Sequence, residues 1–84
     1  MNTVIKKILE EADAITRQAI AWRRDIHAHP ELSNMEVRTS ALAAAHLKNL
    51  GFDEVYEGLA GGTGVIGVLH GAHYGPTVGL RMDM

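Results

Sequence analysis

Apolar residues fall at Ile5, Ile8, Ala12, Ile15, Ala19, Trp22 and Ile26. The steps alternate three and four, which places these positions on one stripe of an α-helix. Val4, Leu9 and Ile20 widen the stripe beyond a coiled-coil seam, so a helix facing a core, packed on a sheet, is predicted. Thr3 or Asn2 is placed to cap its start. Pro30 disfavours helical geometry at His29, so the helix should end near Ala28. A dimerising coiled coil is the alternative, weakened by small alanines at two seam positions.

A second helix is predicted over about 34–50. Ser33 and Glu36 have the spacing of a capping box, with Ser33 at N-cap and Glu36 at N3. Val37, Ala41, Ala44, Leu47 and Leu50, with Leu42 beside them, form its apolar face, and Gly51 stands where a left-handed terminating residue belongs. After Gly51 the period changes from helical to alternating. Residues 53–57 suggest a short edge strand, and Leu59 to Thr63 a flexible connection. Val65, Ile66, Val68 and Leu69 form a near-continuous apolar run, the mark of a strand covered on both faces. Gly71 to Gly75 reads as a turn, after which Val78, Leu80 and Met82 alternate with Thr77, Gly79 and Arg81. A short turn between two strands favours an antiparallel hairpin. The expected fold is therefore α/β, with two N-terminal helices followed by three strands. The final strand would keep an unpaired edge and an uncovered face, and it would deliver Asp83 to its C-terminal end. In open α/β sheets chemistry sits just beyond that end. The expectation is the entrance to an active site within a larger protein.

Composition narrows the function classes. The chain has 84 residues, 46% of them hydrophobic, which suits one small folded domain rather than a disordered segment. With a formal charge of -2 and no basic stripe, neither nucleic acid nor an anionic membrane is an expected partner. Cysteine is absent, which removes disulfides, thiolate catalysis and Cys-ligated zinc from these residues. No apolar run approaches a membrane span, and Lys6, Lys7, Glu10, Glu11 and Asp13 interrupt any signal-peptide core. A cytoplasmic location is the default expectation.

Several short patterns have both a chemical and a structural reading. Gly62, Gly64 and Gly67 match the glycine spacing of a dinucleotide fingerprint, but β-type residues follow where that fingerprint needs a helix. A glycine-rich lead into a strand is the expected role. His27 and His29 look like a metal pair, yet residues two apart on a helix point about 200° away from each other. The favoured reading is that both imidazoles pin the helix-to-loop corner through backbone groups. Arg23, Arg24 and Asp25 read as a polar helix face, and Glu31 as an anchor of the corner or a cap on a backbone group. Asp83 is either a carboxylate at a metal site, bound directly or through a ligand, or a surface residue closing a strand.

Three stretches taken together carry a family resemblance. Residues Trp22 to Ser33 (WRRDIHAHPELS) resemble the R-R-x-[IL]-H-x-[HN]-P-E-L-[SG] opening of the M20 metallopeptidases. The match is to the amidohydrolase branch, which includes hippurate hydrolases, N-acyl-amino-acid deacylases and auxin-conjugate hydrolases. Gly61 to Leu69 resembles that branch's G-[GT]-x-G-[VI]-[VI]-[GA] strand, and Gly75 to Met84 its G-P-[TV]-[VI]-x-[LI]-R-[AG]-D-M-D-A-L-P motif. The three lie in the family's order over about residues 15–84.

The resemblance implies the start of an aminopeptidase-like α/β catalytic sandwich, so residues 1–84 would be the N-terminal part of the catalytic domain, without the smaller dimerisation domain. It implies a homo-oligomeric parent that cleaves amide bonds of N-acyl amino acids or short peptides. Divalent metal ions, zinc or manganese, would activate water there while a Glu moves the proton. The ligands and that Glu would lie downstream, including a C-G-H-x-x-H-type motif, so no metal ligand is assigned here and the isolated chain is expected to be inactive. Arg81, Asp83 and Met84 match R-x-D-M. Asp83 stands where other branches have a metal-binding His, and a positioning role is expected for it. Arg24, His27, His29, Pro30 and Glu31 match a motif read as architectural. Met82 departs mildly from the family's usual small residue.

Overall fold

The computed structural model describes residues 2–84. Helix α1 spans Thr3–Ala28 and helix α2 spans Val37–Asn49, followed by strands β1 (Glu54–Leu59) and β2 (Gly64–Val68). The chain divides into two compact units, residues 1–30 and 31–84.

The first unit is the long helix. Asn2, in extended geometry, caps it, its side-chain oxygen accepting from the Val4 N–H at 2.7 Å. The helix ends at Ala28, and His29 leaves helical geometry at φ -128° and ψ 64°, as the following proline demands. The apolar stripe is present but faces no core within the unit, and none of the α1 residues is buried. Ile20, Trp22 and Ile26 of the stripe are half-buried.

In the second unit the start of α2 differs from the capping-box expectation. Asn34 turns into the left-handed region at φ 63°, which asparagine tolerates better than most residues. The Glu36 carboxylate accepts from the Asn34 N–H at 3.0 Å and from the Thr63 hydroxyl at 3.3 Å. It is thus withdrawn from the box, and Glu36 becomes the N-cap without a side-chain cap bond. The helix starts at Val37, three residues later than predicted. Glu31 supplies the cap instead. Its carboxylate accepts from the N–H groups of Arg38 (2.8 Å) and Thr39 (2.9 Å) and from the Thr39 hydroxyl (2.8 Å). These first-turn donors have no carbonyl partner inside a helix, and the carboxylate also meets the positive end of the helix dipole.

At the other end the Gly51 expectation holds. Gly51 has φ 84°, its N–H reaches the Lys48 carbonyl at 3.0 Å, and the Phe52 N–H reaches the Leu47 carbonyl at 3.2 Å. This is the Schellman arrangement, and it brings Phe52 back beside Leu47. The buried side of α2 is rotated from the predicted one. Thr39, Ser40 and Ala44 are buried, with Ala44 only 1% exposed, whereas Val37 and Leu50 are exposed. The hydroxyls of Thr39 and Ser40 had weighed against that side in an apolar count, but Thr39 is satisfied by Glu31.

The two strands form an antiparallel hairpin in which Glu54 faces Val68, Val55 faces Gly67 and Tyr56 faces Ile66. An irregularity between Tyr56 and Leu59 shifts the register so that Leu59 meets Gly64, as a bulge does. The connection is a tight turn, closed by the Gly62 N–H on the Leu59 carbonyl at 2.9 Å. Ala60 and Gly61 both have positive φ (49° and 85°), the requirement of a type I′ hairpin turn. The predicted flexible connection is thus the hairpin itself.

The predicted third strand is not formed. Residues 69–84 carry no regular secondary structure, and Val78, Leu80 and Met82 are exposed. A strand is held by a ladder partner and a covered face, and this segment has neither among the described residues. For the same reason β2 is covered on one side only, with Ile66 exposed. The observed class is mixed α/β, with two helices and a two-stranded sheet. No helix among the described residues is long and apolar enough to cross a membrane.

Helix α2 packs on both strands. The closest approach is at Gly67, where a Cβ would lie 2.9 Å from Phe52 Cδ2 and 3.0 Å from Leu47 Cδ1. Gly67→Val should therefore destabilise residues 31–84 by about 1–3 kcal/mol through overpacking. Gly75→Ala, which has open space around its Cβ, should be near neutral. Amide-exchange protection in α2 and the hairpin measures both.

The Glu31 carboxyl is held below the ordinary glutamate range, first by the backbone hydrogen bonds from Arg38 and Thr39. A depressed folded-state pKa stabilises the fold above the ordinary value and stops doing so as pH falls through the depressed one. Protection of the first turn of α2 should accordingly fall on acidification. In Glu31→Gln that acid step should disappear, and protection at neutral pH should already be reduced.

Candidate functional site

The motif around residues 22–31 is a run of consecutive structural tasks. Arg23, Arg24 and His27 line a shallow depression on the surface of α1. His29 Nδ1 lies 2.9 Å from the Asp25 carbonyl and 3.5 Å from Asp25 Oδ1. Its imidazole thus satisfies a carbonyl that the helix end leaves open. Corner-pinning by imidazole holds for His29; His27 stands beside the arginines instead. Pro30 follows, and Glu31 then caps α2.

The second motif also becomes backbone. Gly61 and Gly62 adopt positive φ (85° and 128°) in the hairpin turn, and Gly64 to Val68 is β2. No helix follows these glycines, so the phosphate-cradling arrangement is absent. Thr63 is buried, with its hydroxyl on Glu36. Sequence reading passed over that tie, although a lone threonine among glycines was its available signal. Asp53 closes the hairpin's open end, its Oδ2 accepting from the His70 N–H at 2.6 Å. On the outer face of β1, Glu54 accepts a hydrogen bond from the Tyr56 hydroxyl and holds it above the ordinary phenol range.

Arg81, Asp83 and Met84 lie in the segment without regular structure and are exposed. Asp83 is brought to no other candidate residue. Among the described residues, no group of three or more His, Cys, Asp or Glu side chains is gathered as a metal site would need. His29 has its Nδ1 engaged with Asp25.

Known proteins resemble this chain over most of its length. It is 42% identical over 81 residues to thermostable carboxypeptidase 1 of Saccharolobus solfataricus, covering 96% of this chain and 20% of that protein. It is 36% identical over 80 residues to an N-acyl-L-amino acid amidohydrolase of Geobacillus stearothermophilus, covering 95% of this chain and 20% of that protein. It is 47% identical over 62 residues to the hippurate hydrolase of Campylobacter jejuni, covering 74% of this chain and 16% of that protein. The chain thus spans about a fifth of the length of the curated relatives it matches. No family model matches it. No solved structure matches it. Carboxypeptidase, amidohydrolase and hippurate hydrolase relatives thus match this chain at 35–47% identity, which fits the N-terminal part of an M20-type amidohydrolase or peptidase.

Proposed function

We propose that residues 1–84 form the N-terminal part of the catalytic domain of a metal-dependent amidohydrolase of this family. Its substrates would be N-acyl amino acids or short peptides. The observation that carries the reading is the identity to carboxypeptidase and amidohydrolase relatives along nearly the whole chain. The unpaired alternating segment at Val78, Leu80 and Met82 supports it, because those exposed side chains suit a strand inside a larger sheet.

In this reading the parent is a cytoplasmic homo-oligomer. Zinc or manganese would be held by residues outside this chain. The chain's own part is architectural. His29 closes the end of α1, Glu31 caps the start of α2, and the hairpin prepares a sheet edge on which residues 76–84 become a strand. Asp83 then stands at that strand's carboxyl end, where it positions a neighbouring group at the site. The parent's dimerisation domain lies outside these residues.

The purified 84-residue chain, given zinc or manganese, should not hydrolyse N-acetyl or N-benzoyl amino acids, and measurable metal-dependent hydrolysis by it would contradict the reading. In a polypeptide that continues beyond Met84, hydrolysis should appear. There Asp83→Ala should lower kcat by about 10- to 100-fold, as loss of an outer partner of a metal site does, with KM little changed. Steady-state kinetics on both variants decides this.

A further inference from the structure

The residues between the two helices spell two different starts for α2. Ser33 and Glu36 have the spacing of a capping box, and Leu32 and Val37 stand at the two positions of the hydrophobic staple that accompanies it. The structure uses neither. Leu32 and Val37 are exposed at 74% and 71%, and Ser33 is exposed and does not cap the helix. Asn34 instead takes φ 63°, and α2 begins at Val37 under the Glu31 carboxylate.

The two starts exclude each other at two backbone donors. A helix begun at Asn34 would pair the Arg38 N–H with the Asn34 carbonyl and the Thr39 N–H with the Met35 carbonyl, each four residues back. In the structure both donors are taken by Glu31, at 2.8 Å and 2.9 Å. The next donor already follows the helical rule, the Ser40 N–H reaching the Glu36 carbonyl at 2.9 Å. The Glu36 side chain is one residue from its place in the box. It accepts from the Asn34 N–H at 3.0 Å, where the box needs the Ser33 N–H, and the Thr63 hydroxyl holds it there at 3.3 Å. Rewinding Asn34 to Glu36 would relieve the left-handed Asn34, bring Leu32 against Val37 and withdraw Glu36 from the hairpin turn.

We infer that α2 has two alternative starts: with Glu31 on Arg38 and Thr39 it begins at Val37, and without that contact it rewinds to Asn34 under the Ser33–Glu36 box. Because Glu36 is also the tie to Thr63, a change of helix start is felt at the hairpin turn. The device needs only residues 31–63 and is independent of the hydrolase reading. The box start is the weaker of the two, so protection of the first turn falls even where the rewound turn forms.

Backbone NMR of the intact chain carrying Glu31→Ala tests this. The Cα shifts of Asn34, Met35 and Glu36 should move to helical values, and the Thr63 amide should shift as its hydroxyl loses Glu36. Adding Ser33→Ala should lower the ratio of rewound to unwound chains by about 2- to 30-fold, the effect of a lost N-cap. Thr63→Val frees Glu36 while leaving Glu31 in place, so it should move the same three Cα shifts part of the way in the same direction. Residues 34–36 that stay non-helical in Glu31→Ala, with α2 starting at Val37 or frayed beyond it, would overturn the inference. So would a rewound turn that Ser33→Ala leaves unchanged. If Glu31→Ala does not fold, Thr63→Val decides alone, and unchanged shifts at residues 34–36 in that variant would overturn it.

Discussion

The Glu31 carboxylate on the first turn of α2 is the contact from which the folded unit is organised. One side chain satisfies two orphan backbone donors and the Thr39 hydroxyl. It does so from six residues before the helix begins, so it fixes where the helix starts and how the chain enters it. With Glu31 in that role, Glu36 is free to hold Asn34 and to reach Thr63 at the hairpin turn. The Schellman end then returns Phe52 beside Leu47, and Gly67 leaves room for both. Three polar ties and one glycine contact thus set a unit with few buried apolar side chains. For so small a core, hydrogen-bond geometry at the ends of elements carries an unusual share of the specification.

This gives the H-x-H-P-E-L run a physical meaning. His29 closes the α1 terminus on the Asp25 carbonyl, Pro30 forbids continuation, and Glu31 opens α2. His29, Pro30 and Glu31 each have a backbone role in this structure. The relatives are about five times longer than this chain.

Much of this was legible in the sequence because it depends on local chemistry. The α1 boundaries followed from Asn2 and Pro30, the end of α2 from Gly51, and the glycine-rich lead into β2 from the residues after it. What failed depended on competition or on missing neighbours. Ser33 and Glu36 have capping-box spacing, but Glu31 and Thr63 offered better partners, and no spacing rule ranks them. Ala44 of the expected face of α2 is buried, but the burial of Thr39 and Ser40 beside it was not legible, because a hydroxyl counts as polar in any apolar pattern. The third strand failed for the opposite reason. Its alternation at residues 77–82 is real, yet a strand exists only with a neighbour to pair with. Asp83 shares that dependence, and its place in a site rests on chain that would complete the sheet.

The membership of this chain in a larger catalytic domain is tested most directly by sequencing the source DNA downstream of codon 84. The account predicts a continuation, in frame or displaced by a frameshift, that begins D-A-L-P and carries a C-G-H-x-x-H-type motif further on. An authentic stop codon followed by unrelated sequence would contradict it and leave an 84-residue product without the residues its family uses for hydrolysis.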